Sequence, residues 1–201
     1  PARMSGATSA HTIRYTEKAA MQKTQITEVT AVKTEKKKKN QKEILYIAYG
    51  SNLNLAQMAG RCPTAEVVGK AVLRGWRLAF RGVATIERRI GYTVPVLVWK
   101  LQPEDEAALD RYEGWPSLYY KENLKVSLNG KRRTAMVYIM NGNAHPYSPP
   151  ARSYMRTILS GYESAGFDPG ILYRAAGEAI TAGLTFPDMG KEKTRKGGAG
   201  R

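Results

Sequence analysis

The segment Ile44-Leu45-Tyr46-Ile47-Ala48-Tyr49 runs apolar without a break and then stops at Gly50-Ser51-Asn52-Leu53. An apolar run of that length, rich in β-formers, predicts a strand buried on both faces. Gly50 permits a sharp turn or a close approach of backbone to a ligand. Asn52 and Asn54 suit a helix N-cap, and Leu55, Met58 and Ala59 follow at helical spacing. The local pattern is therefore strand, tight loop, helix. A helix start carries N–H groups without partners and the positive end of the dipole, which together favour a carboxylate or an oxyanion. The same residues also describe an ordinary strand-to-helix turn, and the pattern alone leaves both readings open.

With 201 residues the chain has room for one domain with a sizeable core and tails. The net charge is +15. Residues 1–43 hold ten Lys/Arg against four Glu, and residues 187–201 hold five against two acids, so more than half of the excess sits at the ends. Basic ends of this kind invite a nucleic-acid reading. Runs such as Lys36–Lys39 are more commonly solvated tails, and nucleic acid is not expected as a partner of the folded part. One cysteine, Cys62, excludes an internal disulfide and suits a reducing cytoplasm. It reads as a small buried hydrophobe, with no base placed near it. His11 and His145 are too far apart to form a metal-ligand pattern with Cys62. No apolar run approaches the roughly 18 residues of a membrane span, and no signal-peptide core is expected.

Residues 1–43 read as a disordered basic tail, 44–186 as the folded domain and 187–201 as a basic flexible tail. Arg61-Cys62-Pro63 ends the first helix, because Pro63 disfavours helical backbone at Cys62. Val67–Ala71 and Val72–Arg81 read as strand segments, Gly82–Arg89 as a polar loop, and Tyr92–Leu101 as a strand that Pro95 marks for an edge or a bulge. A three-turn helix follows. Pro103 opens it, Glu104, Asp105 and Glu106 complement its dipole, and Gly114 supplies the left-handed residue after its end. Glu113 falls in its last turn, where the dipole disfavours a carboxylate by about 0.3–1 kcal/mol. That placement raises proton affinity and suits a general base; the alternative is an exposed glutamate paired with Arg111 or Lys121. Leu118–Leu128 and Lys131–Met140 form a hairpin through Asn129-Gly130. Tyr147-Ser148-Pro149-Pro150 leads into a helix with Tyr154, Ile158 and Gly161 on one face. Asp168-Pro169 caps a last helix through about Thr181, and Gly183 fits its end. The order of elements predicts a mixed α+β domain with a compact, curved, barrel-like sheet and flanking helices.

Tyr49-Gly50-Ser51-Asn52-Leu53 at the end of the first strand resembles the signature of the gamma-glutamylcyclotransferase-like family. Leu109-Asp110-Arg111-Tyr112-Glu113-Gly114 resembles the segment that carries that family's catalytic glutamate, and the similarity covers about residues 44–180. The resemblance implies that Glu113 is catalytic and that Tyr49, Gly50, Ser51, Asn52, Leu53, Tyr120 and Tyr154 line the substrate pocket. Tyr119 competes with Tyr120, and a plain core role stays open for Tyr120 and Tyr154. It further implies a barrel-like fold and a reaction without metal or cofactor, in which the α-amine of a γ-glutamyl group attacks its own γ-carbonyl and forms 5-oxoproline. A cyclotransferase acting on a small γ-glutamyl substrate is the leading expectation. A non-catalytic module holding a γ-glutamyl or carboxylate ligand in the same pocket is the alternative, and a nucleic-acid-associated protein using its tails is the third. Leaving group and oligomeric state stay open.

Overall fold

The computed structural model describes residues 44–142 and 145–184. The basic tails expected at 1–43 and 187–201, and Asn143, lie outside the described residues. Five strands are present among them, β1 (Ile44–Ala48), β2 (Glu66–Arg81), β3 (Val83–Leu101), β4 (Tyr119–Leu128) and β5 (Lys131–Met140). A single 3₁₀ turn (Ser51–Leu53) follows β1, and the helices are α1 (Leu55–Arg61), α2 (Pro103–Glu113), α3 (Arg152–Ala165) and α4 (Gly170–Leu184). The architecture is the mixed α+β class that the pattern predicts.

The sheet order is β2-β3-β1-β5-β4, so β1 is central. It pairs antiparallel with β3, from Ile44 opposite Leu101 to Ala48 opposite Leu97, and parallel with β5 through Tyr46 and Met136. Neighbours on both edges and cover on both faces explain why its sequence does not alternate: Leu45 through Tyr49 are all buried. The sheet curls on itself. Gly69 of β2 sits so close to the β4–β5 tip that a Cβ there would meet Leu128 Cδ1 at 3.0 Å. Tyr119 of β4 donates to the Ala84 carbonyl of β3 at 2.7 Å, and Met140 N of β5 donates to Thr85 Oγ1 at 3.1 Å. The β4–β5 turn is tight, with Asn129 at φ 50° and Gly130 at φ 73°, as an Asn-Gly type I′ hairpin requires.

Three expectations change. The two strand segments from Val67 to Arg81 are one strand with register shifts at Val67/Gly69 and Arg74/Trp76. Gly82–Arg89 is not a loop. The chain reverses at Gly82, and Val83–Arg88 pairs back along β2 up to Trp76 opposite Arg88. Its polar residues mislead because distant groups satisfy them: Thr85 is 2% exposed and accepts from Met140 N, while Glu87 is met by Arg77 and Arg81. The last helix runs through Gly183 to Leu184. Pro95 is tolerated because β1 covers only Leu97–Leu101 of β3, leaving Pro95 paired with Val72 alone.

Two devices aim the loop after β1. Asn54 caps α1, its side chain accepting from Gln57 N at 3.0 Å. Helix α3 lies against the 3₁₀ turn at Gly161, where a Cβ would stand 2.7 Å from Leu53 Cβ and 2.9 Å from Asn54 N. Only glycine allows that approach. Capping and packing together hold Gly50–Asn52 between β3, α2 and α3.

Candidate active site

A cavity of about 110 Å³ opens at the end of β1. Its walls come from Tyr46, Tyr49 and Gly50–Asn52, from Val83 and Ala84 of β3, from Tyr112 and Glu113 at the end of α2, and from Leu118, Tyr119, Tyr138 and Tyr154. Gly50 is a wall without a side chain: a Cβ there would press on Ala84 Cβ at 3.2 Å and on Tyr154 Oη at 3.6 Å. The first amides of the 3₁₀ turn, at Ser51 and Asn52, have no carbonyl ahead of them within the turn. The Leu53 amide does have one, donating to Gly50 O at 3.0 Å.

Glu113 is the single carboxylate on the cavity wall. It ends α2, whose chain reverses at Gly114 with φ 65°, and which starts in a capping box between Gln102 and Asp105. The glutamate stem is half-buried and its carboxylate turns inward, where Oε1 accepts from Asn52 Nδ2 at 2.8 Å. Burial pushes its proton affinity up; the Asn52 hydrogen bond and the Arg61 charge act the other way, and its pKa comes to about 7. Neither Arg111 nor Lys121 takes it as an ion-pair partner. Lys121 instead bridges Glu106 at 2.6 Å and Asp110 at 2.7 Å.

Five of the cavity tyrosines are buried phenols. Burial pushes the phenols of Tyr46, Tyr49, Tyr119, Tyr138 and Tyr154 upward, that of Tyr154 to about 12. Three commit their protons to the protein: Tyr49 to the Tyr138 carbonyl at 2.7 Å, Tyr119 to Ala84 O at 2.7 Å and Tyr138 to Asp110 Oδ1 at 2.6 Å. The other two accept. Tyr46 Oη receives Asn52 Nδ2 at 2.7 Å, and Tyr154 Oη receives Ala84 N at 3.2 Å.

These walls can be set beside known proteins. Residues 46–156 match the family model described as "Gamma-glutamyl cyclotransferase, AIG2-like". The chain belongs to that family. Gamma-glutamylcyclotransferase from Homo sapiens is 30% identical over 141 residues, which span 63% of this chain and 74% of the human protein. The Mus musculus protein of the same name is 32% identical over 136 residues, 61% of this chain and 71% of its own length. A solved structure described as a gamma-glutamyl cyclotransferase superposes with a TM-score of 0.58 at 26% identity, covering 75% of this chain and 93% of the other.

Within this family member, the structure brings Tyr49, Gly50, Ser51, Asn52, Glu113 and Tyr154 together around one cavity. Two expected residues stand elsewhere. Tyr120 is 39% exposed and faces away, whereas Tyr119 is 4% exposed and lines the cavity. Successive strand residues face opposite sides, so a shift of one position moves the phenol from wall to exterior. Leu53 lies beneath the loop against Gly161, with its amide already bonded to Gly50 O. Three residues that sequence reading passed over also belong to the site: Tyr46 inside the β1 run, Tyr138 on β5 and Tyr112 beside Glu113. Cys62 is 1% exposed, and burial pushes its thiol up to about 11. Among the described residues no three His, Cys, Asp or Glu side chains converge as a metal site needs, and no helix is long and apolar enough to cross a membrane.

Proposed function

We propose that this chain cyclises a γ-glutamyl group. The α-amine attacks the γ-carbonyl carbon, a new N–C bond closes the five-membered ring, and the bond to the leaving nitrogen breaks, yielding 5-oxoproline and a free amine or peptide. Glu113 accepts a proton from the α-ammonium and returns one to the leaving nitrogen. The reading rests on one observation: a single carboxylate, held by the Asn52 amide, sits on the wall of a small cavity otherwise lined by apolar residues, tyrosines and the Gly50–Asn52 loop, where burial pushes its pKa to about 7. A base works best when its affinity lies near the operating pH, and Glu113 meets that condition.

Because nucleophile and electrophile belong to one molecule, the site's work is to hold the bent conformer and to stabilise charge on the carbonyl oxygen. The amides of Ser51 and Asn52 are suited to the substrate carboxylate or that oxygen. Tyr49, Tyr119 and Tyr138 shape the walls, and Tyr154 stands by with its hydroxyl. A cavity of about 110 Å³ suits the γ-glutamyl head, with the leaving group at the mouth beside the exposed Tyr112.

The test is release of 5-oxoproline from a panel of γ-glutamyl amino acids, peptides and amines, with wild type and Glu113→Gln assayed side by side. Product from wild type alone is expected, with a loss of roughly 10²–10⁴-fold in the variant. Since the base must be ionised, kcat/KM should rise with pH through about 7. Saturable binding of a γ-glutamyl compound with no product from either protein would overturn catalysis in favour of a ligand-holding module.

A further inference from the structure

The side chain that organises the polar side of the cavity does not line it. Arg61 is the last residue of α1, and its guanidinium stacks on the Tyr112 ring with Cζ 3.6 Å from the centroid. Nη1 donates to Asn52 Oδ1 at 2.6 Å, Nη2 donates to Tyr112 Oη at 2.7 Å, and Nη2 also reaches Gln57 Oε1. Among the described residues no ion pair engages it. We propose that Arg61 is a positioning residue for the cyclisation, fixing the orientation of Asn52 toward Glu113.

The proposal rests on the cyclotransferase reading for its function and on hydrogen-bond bookkeeping for its geometry. An arginine only donates. Asn52 Oδ1 therefore must face Arg61, and Nδ2 is left to face inward, where it donates to both Glu113 Oε1 and Tyr46 Oη. Without Arg61 the amide can turn over and present its oxygen to the carboxylate, replacing an attraction by a repulsion. Tyr112 Oη accepts from Arg61 Nη2 and shares a hydrogen bond with Ser51 Oγ at 3.2 Å in which either hydroxyl can donate. Tyr154 already accepts from Ala84 N, which leaves its O–H for the cavity. Tyr46, accepting from Asn52, is in the same position. Arg61 thus acts through Asn52 on Glu113 and on Tyr46, and reaches Ser51 only by way of Tyr112.

A role in holding α1 does not account for this arrangement. That helix is already anchored by the Asn54 cap and by Met58, which is fully buried, with Cys62 following in the core. Apart from Gln57 on its own helix, the contacts of Arg61 go to Asn52 of the 3₁₀ turn and to Tyr112 of α2. Its charge also acts on Glu113, favouring the ionised base.

The experiment compares wild type, Arg61→Met and Arg61→Lys by two readouts: the pH profile of kcat/KM for 5-oxoproline release, and the titration of the Glu113 carboxyl carbon by NMR, which needs no turnover. In Arg61→Met, Glu113 is expected to titrate at higher pH than in wild type, the acid limb to move up with it, and kcat/KM to fall roughly 10- to 100-fold. In Arg61→Lys the limb should stay near its wild-type position while the rate is only partly recovered, because an ammonium lacks the planar fork that reaches Asn52 and Tyr112 together. Wild-type titration of Glu113 in Arg61→Met, with kcat/KM within about twofold, would overturn the proposal. If Arg61→Met does not fold, Arg61→Gln must show the same upward shift; unfolding of both would also overturn it, since the residue would then serve α1. If wild type releases no 5-oxoproline from any γ-glutamyl compound, the cyclotransferase reading fails, and the NMR titration decides separately whether Arg61 controls Glu113.

Discussion

Glu113 and Glu87 are the same residue in two polar clusters of one domain, and their proton affinities move in opposite directions. Burial pushes both up. Glu87 also receives Arg77 at 2.6 Å, Arg81 at 3.1 Å and the Tyr147 hydroxyl at 2.8 Å, and these outweigh burial, so its carboxyl is held below the usual range. Glu113 receives one direct hydrogen bond, from a neutral amide, with its nearest cation acting from behind that amide. The first arrangement fixes a charge and ties β2, β3, the segment before α3 and, through Arg77 to Glu178 at 3.3 Å, α4. The second leaves a carboxylate able to gain and lose a proton near neutrality. Direct contact with a guanidinium makes a glutamate structural; one amide between them makes it a candidate base.

The largest expected effect that sharpens this contrast is on stability. The folded pKa of Glu113, about 7, lies above the unfolded value near 4.5, so its contribution is fully present below pH 4.5 and is lost as pH rises through 7. Glu113→Gln removes that loss. It should stabilise the protein by about 3 kcal/mol at pH 8.5 and by almost nothing at pH 4, measured as urea midpoints at the two pH values. Equal effects at both would break the contrast.

Glu87→Gln should do the reverse. A lowered carboxyl contributes stability above its unfolded pKa and loses it as pH falls through the folded one. The variant should lose roughly 2 kcal/mol at pH 7, because a charge-assisted cluster is broken, and markedly less at pH 3. Thermal denaturation at both pH values checks it, and a loss that does not change with pH would remove the charge from the explanation. The smallest effect belongs to Tyr147→Phe. It deletes one donor to Glu87 and leaves both arginines, so about 1 kcal/mol is expected at pH 7, read by the same melts.

Much of this was legible in the residues, and the boundary has a physical cause. The β1 run predicts a doubly covered strand, and β1 is central with neighbours on both edges. Pro103, the acidic first turn and Gly114 delimit α2 to the residue, because capping acts within one turn. Asn129-Gly130 predicts its hairpin for the same short-range reason. Gly82–Arg89 misleads because the partners of Thr85 and Glu87 come from β5 and from the opposite strand of the hairpin. The choice between Tyr119 and Tyr120 is a matter of which side of β4 faces inward; Tyr119 is buried on the cavity wall and Tyr120 is exposed.

Short-range chemistry in the sequence thus determined β1, the ends of α2 and the turn between β4 and β5, and carried the family resemblance, but not the strand over Val83–Arg89. The tertiary structure alone decided that the Glu113 carboxylate turns inward to Asn52, 61 positions away in the chain, and that Arg61 reaches the site through Asn52 and Tyr112. Proton affinity and side-chain orientation depend on burial and on partners distant in sequence, and those exist only once the sheet has curled and α1, α2 and α3 have closed on the loop after β1.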